Sequence, residues 1–404
     1  MANKNIHGII GVSLLVLSPV TWSAPPLTMH IFDKKDQKES INQVAQPPLL
    51  EMHLFKQSKK KEVVNHIAQA PLLKVHLFDN SPTMQNNAVL AERYTRAKPH
   101  EQEELALSYI KAESYIAMGY RRDDLDWSIA GPDGTPNILS ELTWKDIEIA
   151  TISAGTTLLF ESNWLINVNL LFGSIYNGKN QDSDYLGDNR TFEFSRSNNS
   201  GDKGSVLDIS ASTGYNWTVP LNEQSTYPNI DFRPQIGLSY YSQNLKVTDG
   251  NQTVSIPIPA LDITLPSTGP FPGLHSSYDA TWFGPWVGLK SRLNFTESFS
   301  LSASLEYHYA KYDSTANWNL RNDFSHPKSF TQKAVGYGLI GDVKGEYQLS
   351  AQLAFILSIK YQDWQAHKQG VDTTFLADDT VLTTQYNGVN WYSLGANVGF
   401  VYSF

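Results

Sequence analysis

No cysteine occurs among the 404 residues. That excludes a disulfide framework and a thiolate metal site, whichever compartment the chain occupies. Long apolar runs are missing too. Beyond residue 24 no stretch approaches the ~18 apolar residues that a spanning helix requires. Positive charge is scarce: 31 Lys and Arg stand against 40 Asp and Glu, for a net charge of -9. Without a broad basic field, nucleic acid is not an expected partner.

What the chain does have is aromatic side chains, with 20 Tyr, 18 Phe and 10 Trp. It begins with Lys4, an apolar run from Ile9 to Val20 and small residues at Ser23 and Ala24. That order predicts a secretory signal peptide over 1–24, too short for a stable spanning helix. An exported, strand-rich chain without a spanning helix is periplasmic, secreted, or a barrel of the outer membrane. The last of these carries its membrane signal only in weak alternating segments.

The final residues decide among the three. In "NWYSLGANVGFVYSF", Tyr392, Leu394, Ala396, Val398, Phe400, Tyr402 and Phe404 fall on one side of a strand. Trp391, Ser393, Gly395, Asn397, Gly399, Val401 and Ser403 fall on the other. One greasy face and one compact face, ending on a bare Phe, match the closing strand of an outer-membrane barrel. Ten alternating segments lie between residue 104 and the C-terminus. The expected fold is therefore all-β: a transmembrane antiparallel β-barrel of about ten strands, twelve being the next even count. A propeller or sandwich is the other all-β arrangement. The expected location is the outer membrane of a Gram-negative bacterium, in contact with its lipid and lipopolysaccharide.

Three polar or Gly/Pro-rich inserts, beginning "YNGKNQDSDYLG", "TDGNQTVSIPIP" and "STANWNLRNDF", are expected to be extracellular loops. Such loops carry function when a rigid scaffold positions them.

Residues 25–103 read differently. "PPLTMHIF", "PLLEMHLF" and "PLLKVHLF" are three copies of one phrase, and His30, His53 and His76 each stand 23 residues from the next. Units this short and polar cannot bury a core of their own. A flexible periplasmic tail is expected, its proline-preceded phrases entering in an extended conformation. Leu27, Met29, His30 and Phe32 would form the contact set of the first copy. Leu50, Met52, His53 and Phe55 serve in the second, and Leu73, Val75, His76 and Phe78 in the third. An extended segment of this kind docks by strand addition or in a groove, and three copies raise effective concentration. A periplasmic or outer-membrane protein is the expected partner. A linker without specific binding is the plainer alternative. The wide histidine spacing lacks the local geometry of a zinc motif, and no metal or cofactor is expected.

The portion 104–404 resembles the omptin family of ten-stranded outer-membrane proteases, through "LDWSI…LSELTWKDIEI" and "QDSDYLGDN". The resemblance implies a peptidase site in which an Asp-Asp pair faces an Asp-His pair and together they activate a water. Asp182 and Asp184 stand where the Asp-Asp pair would be, with Tyr185 in the place usually taken by Trp. The facing pair would follow "LEYHYAKYDS", but no Asp-x-His occurs there. His308, within the strand, is the candidate general base, with His326 farther along. Three functions follow from these observations. The first is a non-enzymatic barrel serving as accessory, scaffold or partner-gated export component, docked through its repeats. The second is a diverged omptin-type endopeptidase, and the third a narrow transporter.

Overall fold

The computed structural model describes residues 109–258 and 265–404. The signal segment, the three repeats and part of the "IPIPALDITLP" insert lie outside the described residues. The strands are β1 (Tyr109–Ile129), β2 (Ser140–Phe160), β3 (Trp164–Gly187), β4 (Thr191–Ser200), β5 (Gly204–Tyr215), β6 (Trp217–Pro220) and β7 (Asn229–Ser255). They continue with β8 (Gly269–Pro270), β9 (His275–Asn294), β10 (Phe299–Asn317), β11 (Phe330–Gln348), β12 (Leu353–Phe375) and β13 (Val381–Ser403). Among the described residues no helix is long and apolar enough to cross a membrane.

Every neighbouring pair is antiparallel, and the ladder closes on itself. β1 pairs with β2 on one side and with β13 on the other, from Glu113↔Ser403 up to Trp127↔Val389. β4, β5 and β6 are pieces of one interrupted wall strand. β5 runs along the lower part of β3 and β4 along its upper part, while β7 flanks all three pieces. Gly204 sits at the break with φ +133, and a Cβ there would lie 2.0 Å from the Asn244 carbonyl oxygen. Only glycine lets the chain rejoin the wall at that point. Counted around the ring, the barrel has ten strands, the number read from the alternating segments.

Alternation sorts the side chains as the last strand foretold. On β13, Tyr392, Leu394, Val398, Phe400 and Tyr402 point outward and are exposed, whereas Trp391, Ser393 and Val401 are buried. On β3 the outward series is Trp164, Ile166, Val168, Leu170 and Phe172. Nine residues of tilted strand span roughly 25 Å, the height of a hydrocarbon band. Aromatics edge the band at the end bearing the short turns, where Trp164, Tyr215 and Trp217 meet edge to face in series and Phe295 stacks on Phe299. An apolar belt running around the whole circumference requires lipid against it.

The strands rise well beyond this belt. The insert beginning "YNGKNQDSDYLG" is not an irregular loop: it forms the upper half of β3 and all of β4. Above the lipid both faces of a strand meet water or polar side chains, so apolar alternation stops while the backbone ladder continues. The hydrophobic pattern marks the height of the membrane and not the end of the strand.

Inside, the upper barrel is filled by rings. Six of the ten tryptophans, Trp127, Trp144, Trp282, Trp286, Trp364 and Trp391, are at most 5% exposed. Trp364 stacks on Trp391 at 5.6 Å, and Trp282 contacts both, at 5.6 and 6.0 Å. Higher up, Tyr278 stacks on Trp127 and Trp144, and its hydroxyl bonds to that of Tyr312 at 2.6 Å. Gly338 makes one of these placements possible, because a Cβ there would come within 2.4 Å of the Trp364 ring.

The plug generates a prediction. Trp391→Ala removes a fully buried ring and is expected to cost about 3–5 kcal/mol. It is also expected to convert a barrel silent in planar bilayers into one that passes ions. Denaturant titration and single-channel recording on the same preparation check both effects.

Candidate functional site

The highest part of the interior holds the acid pair. Asp182 and Asp184 lie on β3, opposite Leu142 and Ser140 of β2 and opposite Ser197 and Ser195 of β4. They stand ten and twelve residues above Phe172, the last lipid-facing residue of β3, and so clear of the membrane. Two residues apart on one strand, both carboxyls fall on the same face. The Trp318 indole donates to Asp182 Oδ2 at 3.4 Å. Ser140 and Ser195 hydrogen-bond to Asp184, and Arg321 lies close enough for its charge to act on both acids. Arg321 is itself fixed by a two-point contact to Asp323, at 2.9 and 2.7 Å, and by stacking over Phe324.

Burial, together with the neighbouring Asp184 carboxylate, raises Asp182 to about 8, and burial raises Asp184 as well. Two acids this close cannot both ionise cheaply, so the pair keeps a proton at neutral pH. Across the same end, burial raises Asp372 of β12 to about 6, although Thr374 donates to it at 3.1 Å.

The structure brings together Asp182 and Asp184 but places His308 elsewhere. His308 belongs to the membrane-embedded part of β10, paired with Trp286 and Gly338. Both ring nitrogens are engaged there: Nδ1 with Ser239 Oγ at 3.0 Å and Nε2 with Glu306 Oε2 at 3.1 Å. Ten residues separate it from Trp318, the side chain that touches Asp182, which is roughly 30 Å of strand. At the acids' height β10 turns Ser314 and Ala316 inward, whereas Asp313 is exposed and faces Lys333. His326 bonds to Asn317 through Nδ1 at 2.8 Å. Among the described residues no three His, Cys, Asp or Glu side chains gather as a metal ligand set.

Nothing in the local sequence singles out Trp318 and Arg321. They lie in the "ANWNLRNDF" insert, and nothing in the local pattern points them at an acid pair more than 130 residues earlier in the chain.

A family model described as Protochlamydia outer membrane protein covers residues 115–404. The outer membrane protease OmpT from Escherichia coli superposes with a TM-score of 0.61 at 14% identity, over 75% of this chain and 99% of that one. The outer membrane protein OprG from Pseudomonas aeruginosa aligns over 74% of this chain and 96% of its own, at 12% identity and a TM-score of 0.28. No curated protein matches by sequence. The omptin likeness is thus one of barrel architecture.

The acid pair makes stability depend on pH. An unfolded Asp loses its proton near pH 4, whereas the folded pair holds one up to about pH 8. Between those values the folded state binds the extra proton, so stability falls as pH rises. Asp182→Asn is expected to flatten that slope, with a higher melting midpoint than wild type at pH 9 and little difference at pH 5.

Proposed function

The chain belongs to the Protochlamydia outer membrane protein family, and from that premise we propose that it is a non-enzymatic outer-membrane barrel, a scaffold or accessory of export. Its N-terminal repeats dock a periplasmic or outer-membrane protein. The observation that carries this reading is the separation of the acid pair from His308, whose two ring nitrogens are committed to Ser239 and Glu306 far below. General-base catalysis needs an imidazole within hydrogen-bond or one-water reach of the acids. Trp318, Ser314 and Ala316 occupy the facing wall instead. The plugged interior argues in the same direction, against a standing pore.

The docking function rests on the three phrases around His30, His53 and His76, which precede β1 in the chain; β1 itself begins at the turn end of the barrel, where Tyr109 pairs with Phe160. With ordinary barrel topology that end faces the periplasm. Lipid would surround the apolar belt. Arg122, Lys145 and Lys179, exposed above it, would meet the phosphates of lipopolysaccharide.

One observation favours the endopeptidase reading: Asp182 and Asp184 stand side by side at the top of the interior, and burial raises both. Two experiments separate the readings. Deleting residues 25–90 is expected to leave a heat-modifiable, membrane-inserted barrel that no longer retains the envelope partner crosslinked to the full chain. Purified full-length protein is expected to leave a library of unstructured peptides intact. Cleavage lost in both Asp182→Ala and Asp184→Ala would establish the peptidase and end the scaffold reading.

A further inference from the structure

Beneath the aromatic plug the lumen is not filled. A chamber of about 190 Å³ lies between the plug and a second barrier nearer the turns. That barrier is a set of ion pairs. Arg292 of β9 reaches Glu346 of β11 at 2.7 Å and, across the barrel, Glu113 of β1 at 3.6 Å. Lys111 holds Glu113 at 2.6 Å, and Lys344 holds Glu346 at 3.4 Å. β1 and β9 are five strands apart in the ring of ten, so the Arg292–Glu113 contact is a strut across the lumen. Below it, a polar recess of about 300 Å³, lined by Asn216, Asn229 and Asn294 among others, lies at the turn end.

The chamber wall has an unusual arrangement of charge. Lys290, Ser304, Asp342 and Lys360 are successive cross-strand partners on β9 to β12 and form one row around the wall. All four line the chamber. Lys290, Lys344 and Lys360 all lie near enough for their charges to act on Asp342, but Lys290, Asp342 and Lys360 take no part in the close ion pairs that hold the strut. On the far side, Asp208 accepts a bond from Arg121 at Oδ2, 2.8 Å long, but among the described residues its buried Oδ1 has no partner. Among the same residues the buried Trp286 Nε1 has none either. Charged and polar groups in an interior that lack a direct hydrogen-bonding partner are costly unless something polar meets them. The chamber is lined by three ammonium groups, Lys290, Lys344 and Lys360, and three carboxyl groups, Asp208, Glu306 and Asp342. A lone anion or cation would satisfy one sign and aggravate the other. A small molecule carrying both signs satisfies both.

We propose that this chamber is a binding site for a small zwitterionic solute of amino-acid size, entered from the turn end past the Arg292 strut and closed toward the outside by the aromatic plug. Lys290 and Lys360 receive the solute's carboxylate. Asp342 and the free oxygen of Asp208 receive its ammonium. The proposal stands independently of what the N-terminal repeats bind.

The absence of native cysteine makes the test direct. Ser304→Cys places a single thiol in the row, and Ser210→Cys places one on the opposite wall, in case the first variant folds poorly. Each full-length protein is exposed to a small methanethiosulfonate reagent in intact cells and again after the periplasm is opened. Labelling is expected only from the periplasmic side, and Glu113→Gln is expected to quicken it. L-Alanine is expected to slow labelling, while acetate and ethylammonium at the same concentration do not. Asp342→Asn and Lys360→Met should each abolish that protection while leaving heat-modifiability intact. Thiols unreactive from both sides would overturn the proposal. So would acetate protecting as well as alanine, or protection that survives both substitutions.

Discussion

Closure of the backbone ladder between β1 and β13 is the constraint from which the rest follows. In hydrocarbon an unpaired N–H or C=O has no water to turn to, so a sheet that crosses lipid must have no edge. Seventeen registered pairs join the first strand to the last, and the Phe404 amide adds a bond to the Ala112 carbonyl at 2.9 Å. The bare aromatic at the end of the chain thus completes a wall. With ten strands so closed, the interior is narrow enough for side chains alone to fill it.

That interior is built in layers of different chemistry. Arg292, Glu113 and Glu346 brace the lumen near the turns with charge. Above the chamber Arg121 sits between Asp123 and Asp208 and lies 5.4 Å over the Trp391 ring, a bridge from polar to aromatic layers. The rings then occupy the middle and upper barrel, and the acid pair stands above them. Buried charges are tolerable here because each brace is multiply hydrogen-bonded. The Arg121 guanidinium, for example, donates three bonds of 2.7–2.9 Å.

Much of this was legible in the sequence because a barrel imposes a two-residue period wherever lipid lies on one side. The outward face of β13 and the ten-strand count came from that period. The height of the strands did not, since β3 above Phe172 loses its apolar series while keeping its hydrogen bonds. The acid pair was singled out by the omptin resemblance within an insert expected to be a loop, and the structure places both acids on β3. Its company was not singled out. Trp318 touches Asp182 and Arg321 lies near it by way of the ring, from the insert that follows β10 on another part of the wall, and no local pattern encodes that meeting. His308 illustrates the converse. Its position in the chain fits a general base, but Ser239 and Glu306, which engage both its nitrogens, come to it through inward alternation on β7 and β10.

The height of the upper wall has a consequence for the rim. The β3–β4 hairpin carries its tip, with Phe192 80% exposed and Leu186 beside it, some twenty residues of strand above the belt's lower aromatics. Neither side chain belongs to the buried clusters of the interior, so the tip can change its side chains without disturbing the rings that fill the barrel below.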